Sequence, residues 1–207
     1  MGEIADMHIF EYGEKEIEYL KRRDKKLGAA IGKIGIIRRE IIPDPFNAVV
    51  SSIVGQQISS KAAKTVWGRL SVLLGDVTPE SIMQADISEI KSCGMSEKKV
   101  GYIRGIAGAA ISGEVDFSTL NTLTDEEIIK KLSSLHGVGV WTAEMLLIFS
   151  LCRPDVVSYK DLAICRGMMN LYGLKEVSRQ NFETYRKRYS PYGSVASLYL
   201  WALSVNE

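Results

Sequence analysis

The 207-residue sequence has only three cysteines, and no two of them are close together in the sequence. Cys93, Cys152 and Cys165 stand far apart, whereas structural zinc sites and iron–sulfur clusters take their thiolates from closely spaced pairs. The spacing therefore argues against a cysteine metal site, and we expect these residues to serve as small buried apolar side chains.

Long apolar runs are also missing. No stretch reaches the roughly 18 apolar residues that a membrane-spanning helix needs. The first residues, "MGEIADMHIFEYGEKE", are acidic and lack the apolar core of a secretory signal. We therefore expect an intracellular protein that does not enter a membrane.

The chain shows no excess of one charge, with 26 Lys plus Arg against 25 Asp plus Glu. Net charge therefore does not indicate a nucleic-acid partner, and a basic face requires the charges to segregate. The apolar content of 46% is enough for a substantial core in one domain or two small ones.

Alternating, strand-like patterns are almost absent, and helical periodicity dominates. The segment "EKEIEYLKRRDKKLGAAIGKIG" predicts one surface helix, because its apolar residues recur at spacings of three, four and seven. Capping signals recur as well: Asp44 precedes Pro45, and Ser/Thr/Asp-to-Glu capping boxes are predicted at Asp86–Glu89 and Thr124–Glu127. We predict an all-α fold of about ten helices.

The stretch "SLHGVGVWTAEMLL" interrupts a helical pattern with Gly137 and Gly139 on either side of Val138. Glycine allows backbone conformations closed to other residues, so a tight turn between two helices is predicted. Such a turn points backbone N–H groups and a helix N-terminus at solvent, where a phosphate can bind without its base being read. A helix corner with packing glycines is the alternative reading of "GVG" alone.

Two longer segments give this motif a context. "LHGVGVWTAEMLL" followed by "VVSYKDLAICRGM" resembles the helix-hairpin-helix DNA glycosylase superfamily, in which a hairpin L-P-G-[VI]-G is followed at a set distance by an aspartate. Gly137 and Asp161 stand at that distance. "DPFNAVVSSIVGQQISSKAAKTVWGRL" is similar to the start of the catalytic core in the 3-methyladenine DNA glycosylase II branch. The sequence departs from the pattern at His136, where proline is usual, and at Lys160.

The resemblance implies an organisation: two helical subdomains with a cleft between them and the helix-hairpin-helix motif at the cleft edge. Residues 1–207 would form one catalytic unit without the extra N-terminal domain of longer members. The expected boundaries are about 44–134 for the central subdomain, 1–43 with 150–207 for the other, and about 124–150 for the motif.

The resemblance also implies an activity, the removal of alkylated purines from double-stranded DNA in base excision repair. Asp161 matches the catalytic aspartate, whose charge would stabilise an oxocarbenium-like transition state. From position alone, a helix N-cap without catalytic role is the favoured reading of Asp161, and the two roles do not exclude each other. Superfamily members that also cut the strand carry a lysine where this chain has Trp141, so a monofunctional hydrolase without AP lyase activity is expected. Lys160 leaves a second amine to consider.

The damaged nucleotide must leave the stacked duplex before its base can be cut from the sugar. Aromatic and amide side chains would then recognise the extruded base. Trp141 and Tyr192 match pocket positions of the alkylation-repair branch, where a ring can stack on a positively charged purine. Gln57, with Gln56 beside it, matches the segment that fills the gap left by the flipped nucleotide. Core packing and a solvated helix end are the alternatives, and Trp67 and Trp201 are predicted to be core residues.

The hairpin backbone at Gly137, Val138 and Gly139 is expected to contact DNA phosphates. By analogy, carbonyl groups of Ser133, Leu135 and Val138 would hold a structural monovalent or other hard cation, and catalysis would need no cofactor. Further phosphate contacts, or merely solvated helix faces, are expected at these basic residues: Lys61, Lys64 and Arg166.

Several expectations concern the setting of the protein. It would be a monomer without a membrane partner, cytoplasmic and nucleoid-associated in a bacterium or archaeon, and nuclear in a eukaryote. The alternatives left open are a glycosylase for oxidised guanine or uracil, and a helix-hairpin-helix protein that binds DNA without catalysis.

Overall fold

The computed structural model describes residues 8–205. The two ends of the predicted catalytic unit, residues 1–7 and 206–207, lie outside the described residues. So does the beginning of the N-terminal segment for which no secretory signal is predicted.

The described part of the chain is built almost entirely from helices, which confirms the predicted all-α class. Within residues 8–205 the extended pairing is limited to one isolated bridge between Ile9 and Glu40. This range contains more helices than the predicted ten. They are α1 Glu14–Arg23, α2 Lys25–Ile34, α3 Pro45–Gly55, α4 Ser60–Leu74, α5 Pro79–Gln84, α6 Ile87–Ser92, α7 Glu97–Ile111, a 3-10 helix Phe117–Thr122, α8 Asp125–Ser133, α9 Val140–Phe149, α10 Leu162–Tyr172, α11 Arg179–Tyr189 and α12 Gly193–Leu203.

The chain divides into two compact units. The middle unit runs from Ile42 to Leu146, and the terminal unit combines residues 8–41 with residues 147–205. The boundary near residue 146 falls inside α9. Across residues 8–205, no helix is both long enough and apolar enough to cross a membrane.

The middle unit is organised around α7, which packs against α3, α5 and α6. The core also takes side chains from α4 and α8, and its members recur at helical spacing along each helix. Fully buried examples are Val49, Ile53, Leu70, Ile82, Ile90, Ile103 and Leu132.

The terminal unit is organised around α12, which is buried from Gly193 to Leu200. It packs against α10, α2 and α11. The approach of α10 to α12 depends on Gly167, because a Cβ at that position would collide with the carbonyl oxygen of Leu200. A glycine inside a helix is normally unfavourable, and here it permits a backbone-to-backbone approach that no other residue allows.

The predicted single helix over residues 14–34 is wrong, since the chain breaks it at Asp24. The Asp24 side chain accepts the backbone N–H of Leu27 and thereby caps α2. Its other oxygen accepts hydrogen bonds from Tyr172 Oη at 2.8 Å and from Arg188 Nη1 at 3.1 Å. These distant partners hold Asp24 in a buried position, which overrides the local helical periodicity.

The predicted helix caps are partly correct. Asp44 caps α3 with Pro45 in its first turn, and Thr124 forms the predicted capping box with Glu127 at the start of α8. The box predicted for Asp86 is wrong, because its carboxylate binds the backbone N–H and the hydroxyl of Ser88. An aspartate this close to a serine closes a shorter local ring.

The cysteine prediction holds only for Cys93, which is buried. Cys165 is half-buried, and Cys152 is exposed with a φ of 51°. Cys152 therefore lies in the left-handed region of the backbone, shortly after α9, and does not belong to the core.

Candidate functional site

Asp161 is the N-cap of α10. Its Oδ1 accepts the backbone N–H groups of Ala163 at 2.8 Å and Ile164 at 3.0 Å. The predicted capping role is confirmed. The carboxylate is only 7% exposed, and its position at a helix N-terminus is favourable for negative charge.

A second donor, Trp201 on α12, holds the other oxygen of this carboxylate. The indole Nε1–H donates to Asp161 Oδ2 at 3.1 Å. The Trp201 ring lies 5.4 Å from the ring of Phe149, and the guanidinium of Arg39 covers the Phe149 ring at 5.4 Å. The prediction of Trp201 as a core residue is wrong: the side chain is half-buried and binds the candidate catalytic acid.

The segment that leads to Asp161 is anchored on α12. Val156 donates its N–H to the hydroxyl of Ser194 and accepts the hydroxyl of Ser197 at 3.0 Å each. The carboxylate of Asp155 accepts the backbone N–H of Gly193, at the first turn of α12. Because both ends of the Asp161–Trp201 hydrogen bond are tied to α12, the direction of the carboxylate is fixed before any ligand binds.

Cys165 lies one helical turn after Asp161. Burial raises the pKa of its thiol, and the charge of the nearby Asp161 raises it further. Its Sγ contacts the carbonyl oxygen of Tyr159 at 3.5 Å. A neutral thiol is a poor nucleophile. Of the two residues, Asp161 is therefore the better candidate for a catalytic group.

Tyr192 lies immediately before α12 and is half-buried. Its ring meets the ring of Tyr19 edge to face at 5.2 Å. Tyr19 is held in turn by a 2.6 Å hydrogen bond from its hydroxyl to the carbonyl of Ser190. The Tyr192 ring is therefore rigidly supported.

In the middle unit, the predicted hairpin joins α8 to α9. Gly137 has a φ of +89°, and a Cβ there would collide with the ring of Tyr102. Position 137 requires glycine for two reasons: the positive φ, and the lack of space for a Cβ beside the Tyr102 ring. The same prediction is wrong for Gly139, which has no left-handed φ and no neighbour within 4 Å of an added Cβ.

Val138 is buried and donates its N–H to the carbonyl of Leu135 at 3.1 Å, which closes the turn. Gly139 is exposed, and its carbonyl accepts the first hydrogen bond of α9 from Ala143. The first-turn N–H groups of a helix have no intrahelical acceptor, so the start of α9 is electrostatically suited to a phosphate.

Trp141 lies in the first turn of α9 and is 41% exposed. The following residues, Thr142 and Ala143, are buried. The prediction that Trp141 offers a ring to a ligand is compatible with this exposure, and core packing does not describe the residue.

The two glutamines at the end of α3 differ in their surroundings. Gln56 is half-buried, and its amide Nε2 donates to the carbonyl of Gly137 at 3.0 Å. Gln57 is exposed and has a φ of +58°, which is unusual for a residue with a side chain. The sequence predicts both as substrate contacts, and the structure gives Gln56 a partner in the hairpin.

Lys99, on the first turn of α7, is a functional candidate that sequence reasoning missed. Its Nζ donates to the carbonyl oxygens of Val54 and Gln56, both at 2.7 Å. Burial lowers the pKa of the Lys99 ammonium. Nothing in the local sequence distinguishes this lysine from exposed Lys98 beside it, because its partners lie more than forty residues away.

The predicted cation site depends on oxygen atoms of the segment from Ser133 to Val138. Ser133 ends α8, where carbonyl groups lack intrahelical donors, and its buried hydroxyl has no hydrogen-bond partner. The carbonyl of Leu135 accepts one hydrogen bond, from Val138. Hard cations prefer such oxygens, so the segment is compatible with one. Clusters of three or more His, Cys, Asp or Glu side chains suited to a metal are absent from the described residues.

The basic residues singled out in the sequence are all exposed, namely Lys61, Lys64, Lys160 and Arg166. Exposure is compatible with both readings, phosphate contact and solvated helix face. Trp67 is half-buried on α4 and does not belong to the fully buried core.

Comparison with known proteins gives consistent matches. A family model described as "HhH-GPD superfamily base excision DNA repair protein" matches residues 50–191. A Schizosaccharomyces pombe protein named DNA-3-methyladenine glycosylase 1 is 32% identical over 185 residues, covering 87% of this chain and 81% of the relative.

Solved structures agree. A DNA-3-methyladenine glycosidase from Bacillus halodurans aligns with a TM-score of 0.83 at 36% identity, covering 96% of this chain and 93% of the other. The 3-methyladenine DNA glycosylase of Schizosaccharomyces pombe in complex with abasic DNA aligns with a TM-score of 0.79 at 30% identity, covering 90% and 95%.

Proposed function

Because this chain belongs to the HhH-GPD superfamily of base excision DNA repair proteins, we propose that it is a monofunctional DNA glycosylase for alkylated purines. The family predicted from the sequence motifs is confirmed by the matches to the family model and to its relatives. The substrate class rests on the three proteins described above, each of which is named for 3-methyladenine. The observation that carries the chemistry is the Asp161 carboxylate, fixed by three N–H donors.

Hydrolysis breaks the bond between C1′ of the deoxyribose and the purine nitrogen, and the bonding electrons leave with the base. The sugar is left with oxocarbenium character, which the Asp161 carboxylate stabilises electrostatically. Water then adds its oxygen to C1′ and loses a proton, which Asp161 can accept or direct to solvent. The products are a free base and an abasic site.

Trp141 and Tyr192 supply aromatic faces for the damaged base. N-alkylated purines such as 3-methyladenine and 7-methylguanine carry positive charge, which favours stacking on an indole or phenol ring by about 0.5 to 2 kcal/mol. The same charge weakens the glycosidic bond, because the base leaves as a neutral molecule. Recognition and reactivity therefore select the same class of lesion.

The reaction ends at base release because position 141 carries an indole. Strand cleavage requires an amine that attacks C1′ and forms a Schiff base, and tryptophan has none. Lys160 is exposed and adjacent to Asp161, so its amine is the remaining candidate for such an attack. We assign it no catalytic part.

DNA binding is proposed to depend on the hairpin and the end of α3. Backbone N–H groups at Gly137 and Gly139 would position phosphates, whereas the N–H of Val138, predicted to do the same, is donated to the carbonyl of Leu135. Gln57 would enter the gap left by the extruded nucleotide. A structural cation on the carbonyl groups of Ser133, Leu135 and Val138 would add positive charge beside the phosphate.

The proposal extends to the setting in which the protein acts. It would bind double-stranded DNA with a damaged base as a monomer, with no catalytic cofactor. It would act where the DNA is, in the nucleoid of a bacterium or archaeon, or in the nucleus of a eukaryote.

A panel of duplexes, each with one lesion, tests the function. We expect the protein to release 7-methylguanine and 3-methyladenine, and strand breaks to form only after alkali treatment. Release of oxidised guanine or uracil alone would replace the proposed substrate, and breaks without alkali would contradict the monofunctional mechanism.

The matching variant is Asp161→Asn. Asparagine is as good an N-cap as aspartate, so α10 should remain folded while the negative charge is lost. Base release should fall by about a thousandfold, given the typical size of such electrostatic effects, and binding to abasic DNA should persist. Undiminished release would show that Asp161 is not the catalytic residue.

A further inference from the structure

The turn that presents Gln57 has a defined geometry. It spans Gly55 to Ile58, and the N–H of Ile58 donates to the carbonyl of Gly55. Gln56 has φ −56° and ψ 133°, and Gln57 has φ +58°. These angles identify a type II β-turn, which requires a positive φ at its third residue and favours glycine or asparagine there.

Glutamine should favour the related type I turn, which requires no positive φ. The two turns differ by a flip of the central peptide plane, here the peptide between Gln56 and Gln57, which reverses the direction of the Gln56 carbonyl. In the type I arrangement Gln57 would have a negative φ, which residues with a Cβ prefer. Something must hold the carbonyl in the less favourable direction.

Lys99 is the group that holds it. Its ammonium donates to the Gln56 carbonyl and to the Val54 carbonyl, at 2.7 Å each. A lysine ammonium has donors only, so it can bind the Gln56 peptide only while the carbonyl oxygen faces it. Val54 lies in the last turn of α3, where a cation is also favoured by the helix dipole.

The same turn is connected to the DNA-binding hairpin. The side chain of Gln56 donates to the carbonyl of Gly137, and the ring of Tyr102 lies against Gly137. Tyr102 and Lys99 are three residues apart on α7, so they lie on the same face of that helix. Helix α7 therefore supports both the turn and the hairpin.

We propose that Lys99 is a positioning residue for base extrusion: by holding the Gln56 carbonyl, it selects the type II turn that directs Gln57 toward the DNA. This inference rests on the proposed function, since it assigns Gln57 the gap left by a flipped nucleotide. Lys99 itself does not contact the reacting atoms.

The test uses Lys99→Met, which keeps the length of the side chain and removes its donors. Single-turnover base release from a paired 7-methylguanine should slow about tenfold. This is the expected effect if the strained backbone conformation of Gln57 loses the contact that stabilises it. Release of the same lesion from single-stranded DNA should change less than about twofold, because no gap in a duplex must be filled. Lys99→Arg, which retains donors, should restore most of the rate.

Two controls separate positioning from loss of charge or of stability. Lys130→Met removes the same charge from an exposed residue of α8 in the same unit and should leave the paired-lesion rate within about twofold. In a Gln57→Gly background, Lys99→Met should have no further effect, because glycine adopts the positive φ unaided and the wedge is already gone.

A crystal structure of the Lys99→Met variant reads the turn independently of activity. A negative φ at Gln57 supports the inference, and a positive φ overturns it. An unchanged paired-lesion rate in an active protein would also overturn it, as would equal losses on paired and single-stranded substrates. If the wild-type protein released no alkylated purine, the proposed function would fail, while the crystal structure would still decide the role of Lys99 in the turn.

Discussion

The indole N–H of Trp201 donates a hydrogen bond to Oδ2 of Asp161, and the two residues are 40 positions apart in the chain. The helix cap uses only Oδ1, which accepts two backbone N–H groups, so the bond from Trp201 fixes the second oxygen, Oδ2. A carboxylate held at both oxygens needs no reorientation when positive charge develops on the sugar, and this preorganisation is the main source of electrostatic catalysis.

Trp201→Phe should therefore slow base release while the fold is retained. Phenylalanine keeps a ring against Phe149 but lacks the N–H donor. A hydrogen bond to a charged group contributes about 1.5 kcal/mol or more, so the single-turnover rate should fall about tenfold. The measurement is release of 7-methylguanine from a duplex under single-turnover conditions.

Trp67→Phe is the matched control, because it makes the same replacement on α4 of the middle unit, whereas Asp161 belongs to the terminal unit. Its rate should stay near that of the wild type. An undiminished rate in Trp201→Phe would mean that the helix cap alone orients the carboxylate.

The aromatic face of Trp141 should discriminate by charge. Replacing Trp141 with alanine should reduce the release of cationic 7-methylguanine more than that of neutral hypoxanthine, since only the cation gains about 0.5 to 2 kcal/mol from the ring. The ratio of the two rates should fall by about twofold to thirtyfold.

Trp141→Phe provides the comparison, because it retains a ring and should keep much of the preference. Equal losses on both lesions would assign Trp141 to general stacking or to folding, and would remove the charge-based argument for the substrate class.

The two hairpin glycines should respond differently to alanine. Gly137→Ala introduces a Cβ against the Tyr102 ring at a left-handed φ, so the free energy of unfolding should fall by about 2 kcal/mol or more. Gly139→Ala meets neither obstacle and should change it by less than about 0.5 kcal/mol. Urea unfolding of both variants measures the difference.

Adding Tyr102→Ala to Gly137→Ala distinguishes the two causes. Removal of the ring should recover the part of the loss due to collision and leave the part due to backbone strain. Equal stabilities of Gly137→Ala and Gly139→Ala would show that the hairpin adjusts freely.

Asp24 should prove important for the stability of the terminal unit. Asp24→Ala removes the acceptor of Tyr172, Arg188 and the Leu27 N–H from a buried position. Since Arg188 is 44% exposed, its share is screened, and we expect a total loss of about 2 to 3 kcal/mol in urea unfolding.

Glu18→Ala is the control, because Glu18 forms an exposed ion pair with Lys21 on α1. Its removal should alter stability by less than about 0.5 kcal/mol. Comparable losses in the two variants would contradict the role assigned to the buried network.

These relationships show which features a sequence can predict. The Asp161 cap and the Thr124–Glu127 capping box are local, since the side chain and its backbone partner lie within three residues. Helical periodicity likewise predicts the all-α class, and three motif segments in order predict the family.

The features that could not be predicted depend on distant partners. Trp201 reads as an apolar helix residue because its hydrogen-bond partner is set by the packing of α12, not by its neighbours. Lys99 is one of two adjacent lysines, and only the folded position of α3 separates them. The break at Asp24 follows from Tyr172 and Arg188, whose hydroxyl and guanidinium no local pattern places beside it.

Asp161 is both the N-cap of α10 and the proposed catalytic carboxylate, and this combination has an evolutionary consequence. Residues that begin a helix well are mainly Ser, Thr, Asn, Asp and Gly, and aspartate alone among them carries a charge. A lineage that keeps the helix but abandons base excision is free to drift to any of the other four. Descendants with Asn or Ser at this position would therefore be intact DNA-binding folds that no longer act as enzymes.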